Sequence, residues 1–230
     1  MSEETLSPGL YIISTPIGNL RDITLRALDV LRKVDFIACE DTRHTGLLLK
    51  HYNIKNNLIS FYEYNKKSRT SEIIKMIKQG AKVGLVSDAG TPGISDPGFY
   101  LIRAAIAENI LVTAIPGPSA LLSAIVISGL PSDRFVFEGF LPKREGRKRK
   151  KLMELKDESR TMVFYDSPHR IIKSLITIQE IFGDRKIVLA RELTKKFETV
   201  LRGNISEIIS QLSDKKIKGE IVLVVAGKEK

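Results

Sequence analysis

The sequence predicts a two-domain α/β protein, with a mainly parallel sheet in the first domain and a mixed sheet in the second. Short β-branched runs alternate with helical stretches along the chain, as is typical of βαβ units. The last strands follow one another through short connections, which favours antiparallel pairs. Midway, Ile115–Ser119 (IPGPS) sets two prolines around a glycine, and we place a boundary there between domains 1–116 and 117–230.

The first half predicts five strands, because each β-branched run ends in a polar or turn-forming cluster. We expect strands at Leu10–Ser14, Phe36–Cys39, Leu58–Phe61, Val83–Ser87 and Leu111–Ile115. Helical periodicity between them predicts helices at Ile23–Val34, Leu47–Tyr52, Ser71–Lys78 and Phe99–Glu108. An alternation of this kind builds a parallel sheet with helices on both faces.

The second half opens with Ser119–Ile127, a helical stretch that is nearly all apolar and is therefore expected to be buried. We expect strands at Phe135–Phe140, Met162–Tyr165, Ile187–Ala190, Thr199–Arg202 and Glu220–Ala226. A charged helix is expected after the basic segment 142–151, and further helices are expected at Arg170–Ile181 and Ile205–Leu212. The strand at 199–202 is expected to pair in hairpin fashion with a neighbour, which makes the second sheet mixed.

Bulk composition narrows the class of protein. The 230 residues are 43% hydrophobic, which is enough to bury a core. No apolar run approaches the roughly 20 residues that span a bilayer, and residues 1–9 are acidic and polar, unlike a signal peptide. The single cysteine, Cys39, excludes an internal disulfide. We expect a cytoplasmic protein that does not enter a membrane.

Basic charge is concentrated in the second half. The net charge is +10, and residues 1–117 carry 14 basic and 12 acidic side chains, whereas residues 118–230 carry 23 and 15. The densest run is Pro142–Lys151 (PKREGRKRKK), with seven basic residues and one acidic residue. Such a cluster is typical of a surface that binds a polyanion, although a solvated loop can have the same composition.

Three segments rich in glycine and proline directly follow predicted strands. They are Ser14–Arg21 (STPIGNLR), Ser87–Gly98 (SDAGTPGISDPG) and Ile115–Ala120 (IPGPSA). Glycine lets a backbone approach a ligand closely, and proline stiffens the loop around it. Because open α/β sheets bind ligands beyond the carboxyl ends of their strands, the three loops predict a preformed pocket. Any one of them alone is equally well explained as a tight turn.

Signatures of nucleotide and metal sites are absent from the sequence. It contains neither G-x-G-x-x-G nor G-x-x-x-x-G-K-[ST], which disfavours a nicotinamide or flavin dinucleotide and a P-loop nucleotidase. The three histidines, His44, His51 and His169, have no second ligand at metal-site spacing. We therefore expect no metal, and surface, packing or substrate-orienting roles for the histidines.

The loops STPIGNL, SDAGTPGISDPG and PGPSA, in this order, resemble the tetrapyrrole methylase superfamily of S-adenosylmethionine enzymes. The segments EDTR, YDSPHR, RELTKKFE and GEIVLVV sharpen the match. With them, the chain most closely resembles the branch that methylates a cytidine 2′-hydroxyl in the decoding region of 16S ribosomal RNA. The resemblance runs from about Leu10 to Lys228. It implies a two-domain tetrapyrrole-methylase-like fold, a homodimer, S-adenosyl-L-methionine as methyl donor, and the small ribosomal subunit as partner.

In that superfamily the donor is held largely by backbone groups of the three loops. Carried over by position, the donor-binding residues are Pro16, Asp88, Ala89, Gly90, Ser119, Ala120, Phe164 and Tyr165. Asp88 has a second interpretation, as a cap of the turn that follows it. The chain departs from its relatives at 61–65, where FYEYN stands in place of histidines around a glutamate. A proton-shuttling histidine is therefore not available at that point.

Methyl transfer to an alcohol requires that the hydroxyl lose its proton. Candidate bases near the expected pocket are Glu40, Asp41, Glu63 and Asp88. The catalytic set that we favour is Glu40, Asp41 and Arg43 of the EDTR segment, with Arg43 holding a phosphate or lowering the pKa of the alcohol. The same three residues also fit a structural ion-pair network, and the sequence does not choose the base.

RNA contacts are assigned to the basic run, with Arg43 nearer the reacting ribose and one lysine from RELTKKFE. The set is Arg43, Lys143, Arg144, Arg147, Arg149, Lys150, Lys151 and Lys195. Contacts of this kind position a nucleic acid rather than read its sequence. Two other functions stay open at this point: C-methylation of a tetrapyrrole by the same donor pocket, and a non-enzymatic role as an RNA-binding ribosome assembly factor.

Overall fold

The computed structural model describes residues 5–213 and 215–229. These residues form two units, of which the first ends at Ser119 and the second begins at Ala120. Each unit has its own five-stranded sheet. In the described part of the chain, no helix has the length and apolar character needed to cross a membrane.

The first unit is a parallel sheet flanked by helices. Its strands are β1 (Gly9–Ile13), β2 (Phe36–Cys39), β3 (Asn57–Ser60), β4 (Lys82–Leu85) and β5 (Val112–Ile115). Its helices are α1 (Leu25–Lys33), α2 (Thr42–His51), α3 (Lys66–Lys78) and α4 (Gly98–Ala107), and a 3₁₀ helix (Leu20–Asp22) precedes α1. The spatial order is β3-β2-β4-β1-β5, with every neighbouring pair parallel.

Alternate side chains of β1 divide the core between the two faces of this sheet. Tyr11 and Ile13 belong to the apolar cluster that contains the buried residues of α1 and α2. Leu10 and Ile12 belong to the cluster that contains those of α3 and α4. Because successive strand side chains point to opposite faces, the chain leaves β1 and β2 toward one face and β3 and β4 toward the other.

The second unit is a mixed sheet. Its strands are β6 (Phe135–Phe140), β7 (Thr161–Asp166), β8 (Lys186–Arg191), β9 (Thr199–Asn204) and β10 (Ile221–Val225). Its helices are α5 (Ala120–Ser128), α6 (Glu145–Glu154), α7 (Ile171–Phe182) and α8 (Ile205–Leu212). The order is β6-β7-β10-β8-β9, in which only β6 and β7 pair in parallel. The predicted fold class is confirmed, as is the antiparallel pairing of the strand at 199.

Two local predictions in the second unit need correction. The apolar helix α5 is not wholly buried, because Ala124 and Ile125 are covered while Leu122 and Val126 are 53% and 72% exposed. A helix that packs on one layer buries only part of its circumference. The basic run also does not precede a helix as expected, because α6 begins at Glu145, inside the run.

Candidate active site

The loops that follow the strands of the first sheet meet at one edge, because all five strands run parallel. Strand β4 lies between β2 and β1. The helices that follow β1 and β2 (α1 and α2) pack on one face of the sheet, whereas α4, which follows β4, packs on the opposite face. Neighbouring strands whose connections leave to opposite faces open a crevice beyond their carboxyl ends, which is the usual ligand site of such sheets. The loop after β4 therefore lies at the centre of the candidate site.

Hydrogen bonds join the three loops rich in glycine and proline into one structure. The N–H of Thr15 donates to the carbonyl of Gly90 at 2.9 Å, and the N–H of Gly90 donates to the carbonyl of Thr15 at 3.0 Å. The hydroxyls of Ser14 and Thr91 are 2.9 Å apart, and Thr91 Oγ1 donates to the carbonyl of Pro118 at 3.3 Å. The loops after β1, β4 and β5 thus hold one another in place.

Two glycines allow the loops to approach this closely. Gly90 has a φ of +82°, a left-handed conformation in which a side chain is strained. A Cβ on Gly90 would also lie 3.4 Å from Ile17 Cγ2, and one on Gly117 would lie 3.0 Å from Ser14 Cβ. The lack of a side chain at these two points therefore lets the three loops pack closely against one another.

Asp88 ties the loop after β4 to the EDTR segment after β2. Its Oδ1 accepts a hydrogen bond from the N–H of Asp41 at 3.1 Å. Within the described ranges its Oδ2 makes no hydrogen bond, and the side chain is half-buried. Among the described residues Asp88 therefore does not cap the turn that follows it, which one interpretation of the sequence expected; it holds the neighbouring EDTR segment and keeps one carboxylate oxygen for a ligand.

Asp41 and Arg43 form the ion pair that the alternative interpretation of EDTR predicted. Asp41 Oδ1 accepts from the N–H of Arg43 at 2.8 Å and from Arg43 Nε at 3.1 Å, and Oδ2 accepts from Nη2 at 2.8 Å. These bonds hold the pKa of Asp41 well below its usual range. A carboxylate with so low a pKa is a weak base at neutral pH. The Arg43 side chain is 90% exposed and can still meet a phosphate.

Glu40 has the opposite environment. It is half-buried and lines a cavity of about 10 Å³ together with Phe61 and Asp96. Burial raises the pKa of the Glu40 carboxyl, and the nearby carboxylates of Asp88, Asp96 and Glu63 raise it further. A carboxylate whose pKa has moved toward neutrality is suited to accept a proton. Among the EDTR residues, Glu40 best fits the role of base.

Asp96 is a residue of the site that the sequence reasoning did not single out. Its Oδ1 accepts hydrogen bonds from the N–H of Gly93 at 2.8 Å and of Gly98 at 2.7 Å. These bonds close the end of the loop after β4, and burial raises the pKa of the Asp96 carboxyl. The signal was present in the sequence, since Asp-Pro-Gly is a turn motif in which the carboxylate accepts from the backbone ahead of it.

The other residues carried over from the resemblance have varied surroundings. Pro16 is buried, Ala89 is exposed and Ser119 is half-buried, all in the first unit. Ala120 is the first residue of α5 in the second unit.

Phe164 and Tyr165 are neighbours on β7 with different access. The Phe164 ring is fully buried in the apolar core of the second unit, so it cannot touch a ligand. Tyr165 is half-buried, with its ring centroid 5.0 Å from that of Phe137 and 5.3 Å from that of Phe140. Burial raises the pKa of the Tyr165 hydroxyl. Of the two residues, only Tyr165 has a side chain that a ligand can reach.

Helix α6 sorts the basic run into two sets. The paired set is held by carboxylates and consists of Lys148 with Glu145, Arg149 with Glu180 and Lys151 with Glu138. The open set is exposed, has no ion pair among the described residues, and consists of Lys143, Arg144, Arg147 and Lys150. Lys148 is buried because it shares the inner face of α6 with Leu152, four residues on. Of the cations in the basic run, all of which the structure describes, only the open set presents unneutralised charge to a partner.

Lys195, the remaining cation of the RNA-binding set, is already paired. Its Nζ lies 3.1 Å from Glu192 Oε1 and 3.0 Å from Glu220 Oε2.

The three histidines lie on the surface. His44 and His51 are exposed on α2, and His169 is exposed in the turn before α7. Over the ranges 5–213 and 215–229, no group of three or more histidine, cysteine or acidic side chains could hold a metal ion.

Comparison with known proteins matches residues 9–209 to the tetrapyrrole (corrin/porphyrin) methylases. The chain belongs to this family. Two similar relatives, from Thermotoga maritima and Vibrio cholerae, are both named ribosomal RNA small subunit methyltransferase I. The first is 52% identical over 220 residues, which cover 96% of this chain and 99% of the relative. The second is 48% identical over 224 residues, which cover 96% of this chain and 78% of the relative.

The chain therefore belongs to the branch that these relatives represent, and the resemblance seen in its motifs is confirmed. A solved structure with a similar fold is a uroporphyrin-III-C-methyltransferase from Thermus thermophilus. Its TM-score is 0.62 at 19% identity, over 94% of this chain and 93% of the other. At so low an identity the likeness concerns the fold of the methylase family and not the substrate.

Proposed function

We propose that this protein transfers the methyl group of S-adenosylmethionine to the 2′-hydroxyl of a cytidine in the decoding region of 16S ribosomal RNA. The observation that carries the proposal is the 52% identity, over 96% of the chain, to a relative named for methylation of small-subunit ribosomal RNA. We also propose that the protein is cytoplasmic and, as the resemblance of its motifs implies, a homodimer, for which cell fractionation and sedimentation are the tests.

The loops around β4 fit the methyl donor. Asp88 offers a carboxylate oxygen to its hydroxyl or amino groups. Ala89, which is exposed, offers backbone groups beside it, and the hydrogen bonds between Gly90 and Thr15 hold that stretch of backbone in place. S-adenosylmethionine supplies a methyl group bonded to a positively charged sulfur. The oxygen of the ribose hydroxyl attacks this methyl group in line with the carbon–sulfur bond. The chain therefore has to hold the hydroxyl in line with that bond and within attacking distance.

Glu40 is proposed as the group that takes the proton of the 2′-hydroxyl. Its raised pKa makes it a better base at neutral pH than Asp41, whose carboxylate is bound to Arg43. Arg43 is free on its outer side to hold a phosphate of the same nucleotide. The open set of α6 would bind phosphates farther along the RNA.

The test of function is incubation of the protein with radiolabelled S-adenosylmethionine and small ribosomal subunits from cells that lack it. We expect label in RNA that ribonuclease releases. A 2′-O-methyl group blocks alkaline cleavage of the adjacent phosphodiester, so alkali should leave the label in a dinucleotide. Label in mononucleotides after alkali would place the methyl group on the base and contradict the proposed 2′-hydroxyl.

The two alternative functions give different results in the same assay. Labelling of uroporphyrinogen but not of RNA would assign C-methylation of a tetrapyrrole. Binding to subunits without donor uptake in calorimetry, and without an effect of Asp88→Ala, would assign an assembly factor.

The proposed base is tested by Glu40→Gln. We expect kcat to fall by about 10²–10⁴ while the Kd for the donor changes little, because the amide keeps the shape of the carboxylate. Glu72→Gln is the matched control, since Glu72 is exposed on α3 and pairs with Arg69. Retention of full kcat by Glu40→Gln would exclude Glu40 as the base.

A further inference from the structure

The turn after β3 and the start of α4 present three tyrosine rings. Phe61 is buried and anchors the turn, and Tyr62 and Tyr64 follow it, 39% and 94% exposed, with ring centroids 6.2 Å apart. Tyr100, on the first turn of α4, is 40% exposed. The three tyrosines together with Lys66 are called the aromatic platform below.

Hydrogen bonds hold the turn in one shape. Asn65 Oδ1 accepts from the N–H of Tyr62 at 2.8 Å, and Asn65 Nδ2 donates to the carbonyl of Ser60 at 3.1 Å. The N–H of Asn65 donates to the carbonyl of Tyr62 at 3.1 Å. The backbone that carries Tyr62 and Tyr64 is therefore fixed, so little backbone entropy is lost when the rings bind a partner.

A cation joins the two parts of the platform. Lys66 Nζ lies 5.7 Å from the centroid of the Tyr100 ring, and it pairs with Glu63, between the two tyrosines of the turn. Lys67, the next residue, is exposed. Single exposed apolar side chains are ordinary on a protein surface. Aromatic rings beside the exposed charge of Lys67 match a nucleotide, which has a flat base and an anionic phosphate.

The platform adjoins the proposed base. The turn after β3 and the loop after β4 lie at the same edge of the parallel sheet. Phe61 and Glu40 line the same cavity, and the carboxylate of Glu63 is near enough to Glu40 to raise its pKa. A base stacked on the tyrosines would therefore lie beside the ribose whose hydroxyl Glu40 deprotonates.

We infer that the aromatic platform stacks an unpaired base of the RNA substrate next to the reacting ribose. The inference rests on the proposed function, which makes RNA the substrate. Proteins that act on single-stranded RNA hold splayed bases on aromatic side chains, and the exposed tyrosine rings with Lys67 beside them provide such a surface.

Tyr64 offers the sharpest test, because a side chain that is 94% exposed supports little of the fold. Binding of a short oligocytidine RNA would be measured by fluorescence anisotropy, and small-subunit methylation by label transfer. We expect Tyr64→Ala to weaken RNA binding about tenfold, the effect of losing one stacked base. Tyr64→Phe should bind as the wild type does, because the ring remains.

Ile106→Ala is the control, since Ile106 is 60% exposed at the far end of α4. Unchanged RNA affinity in Tyr64→Ala, with normal methylation by the wild type, would overturn the platform and leave the proposed function standing. A wild type that neither binds nor labels RNA would overturn both. A loss of dimer mass in Tyr64→Ala at unchanged RNA affinity would make the platform a contact between two copies, which also overturns the inference.

Discussion

Because α6 leaves some cations of the basic run open and pairs others with carboxylates, we expect the open set to affect RNA binding and Lys148 to affect stability. The open set carries four exposed, unpaired charges, whereas Lys148 is buried, with its Nζ 3.1 Å from Glu145 Oε2. Replacing the open set with glutamine should weaken RNA binding without disturbing α6. Replacing Lys148 with methionine, which has a similar volume, should leave RNA binding unchanged and lower stability.

The size of the first effect follows from the number of open charges. Each phosphate that a lysine or arginine neutralises contributes about 0.7–0.9 to the slope of log affinity against log salt concentration. Removal of the four charges should therefore make the slope shallower by about 3. Between 50 and 200 mM salt, the wild type should lose roughly 50-fold more affinity than the glutamine variant.

The assay is fluorescence anisotropy with a labelled fragment of small-subunit RNA, measured across that salt range. For Lys148→Met we expect the wild-type slope and a free energy of unfolding lower by less than about 1 kcal/mol, because the Glu145 side chain is 53% exposed and water replaces its lost partner. Equal slopes in the wild type and the glutamine variant, or an equally shallow slope in Lys148→Met, would refute the division into open and paired sets.

Three further predictions concern the loops and the cores. Gly90→Ala should weaken donor binding in calorimetry and lower the free energy of unfolding by roughly 1 kcal/mol, because the φ of Gly90 is +82° and the Ile17 side chain is close. Unchanged affinity for the donor would contradict the proposed role of the loop after β4. Arg170→Ala should lower the free energy of unfolding in urea by about 3–5 kcal/mol, because it leaves the fully buried carboxylate of Asp166 unpaired; a loss below about 1 kcal/mol would show that water reaches Asp166. Glu40→Gln should raise the Tm at pH 8. A raised carboxyl pKa in the folded state means that stability falls as pH rises from the unfolded pKa through the folded one. The gain should vanish below about pH 4, where both proteins carry a neutral side chain, and a gain that persisted there would have another cause.

Most of the fold followed from local patterns. Phe36–Cys39 and Phe135–Phe140 are strands with the predicted bounds, because β-branched and aromatic runs ended by polar residues have few other solutions. Leu47–Tyr52 was predicted to lie in a helix whose start the sequence pattern did not define, and α2 runs from Thr42 to His51. The helix begins at Thr42 because the Asp41 side chain accepts from the N–H of Arg43 and caps it.

The loops that form the site were predictable from the sequence, but the chemical roles of their side chains were not. The Gly/Pro loops had to follow strands, and parallel strands bring such loops to one edge. The identity of the base was not predictable, because Glu40 and Asp41 are adjacent and chemically alike. Their pKa values are driven apart by burial on one side and by Arg43 on the other, and both depend on packing.

The sequence by itself determined the alternation of strands and helices, the positions of the stiff loops, and the family, because each of these is written in local residue order. Tertiary structure decided which charges are open. Lys148 and Lys150 stand two residues apart in one basic run, yet one points into the core and the other into solvent. The helical period sets residues two apart on different faces, and only the packing of α6 fixes which face is buried.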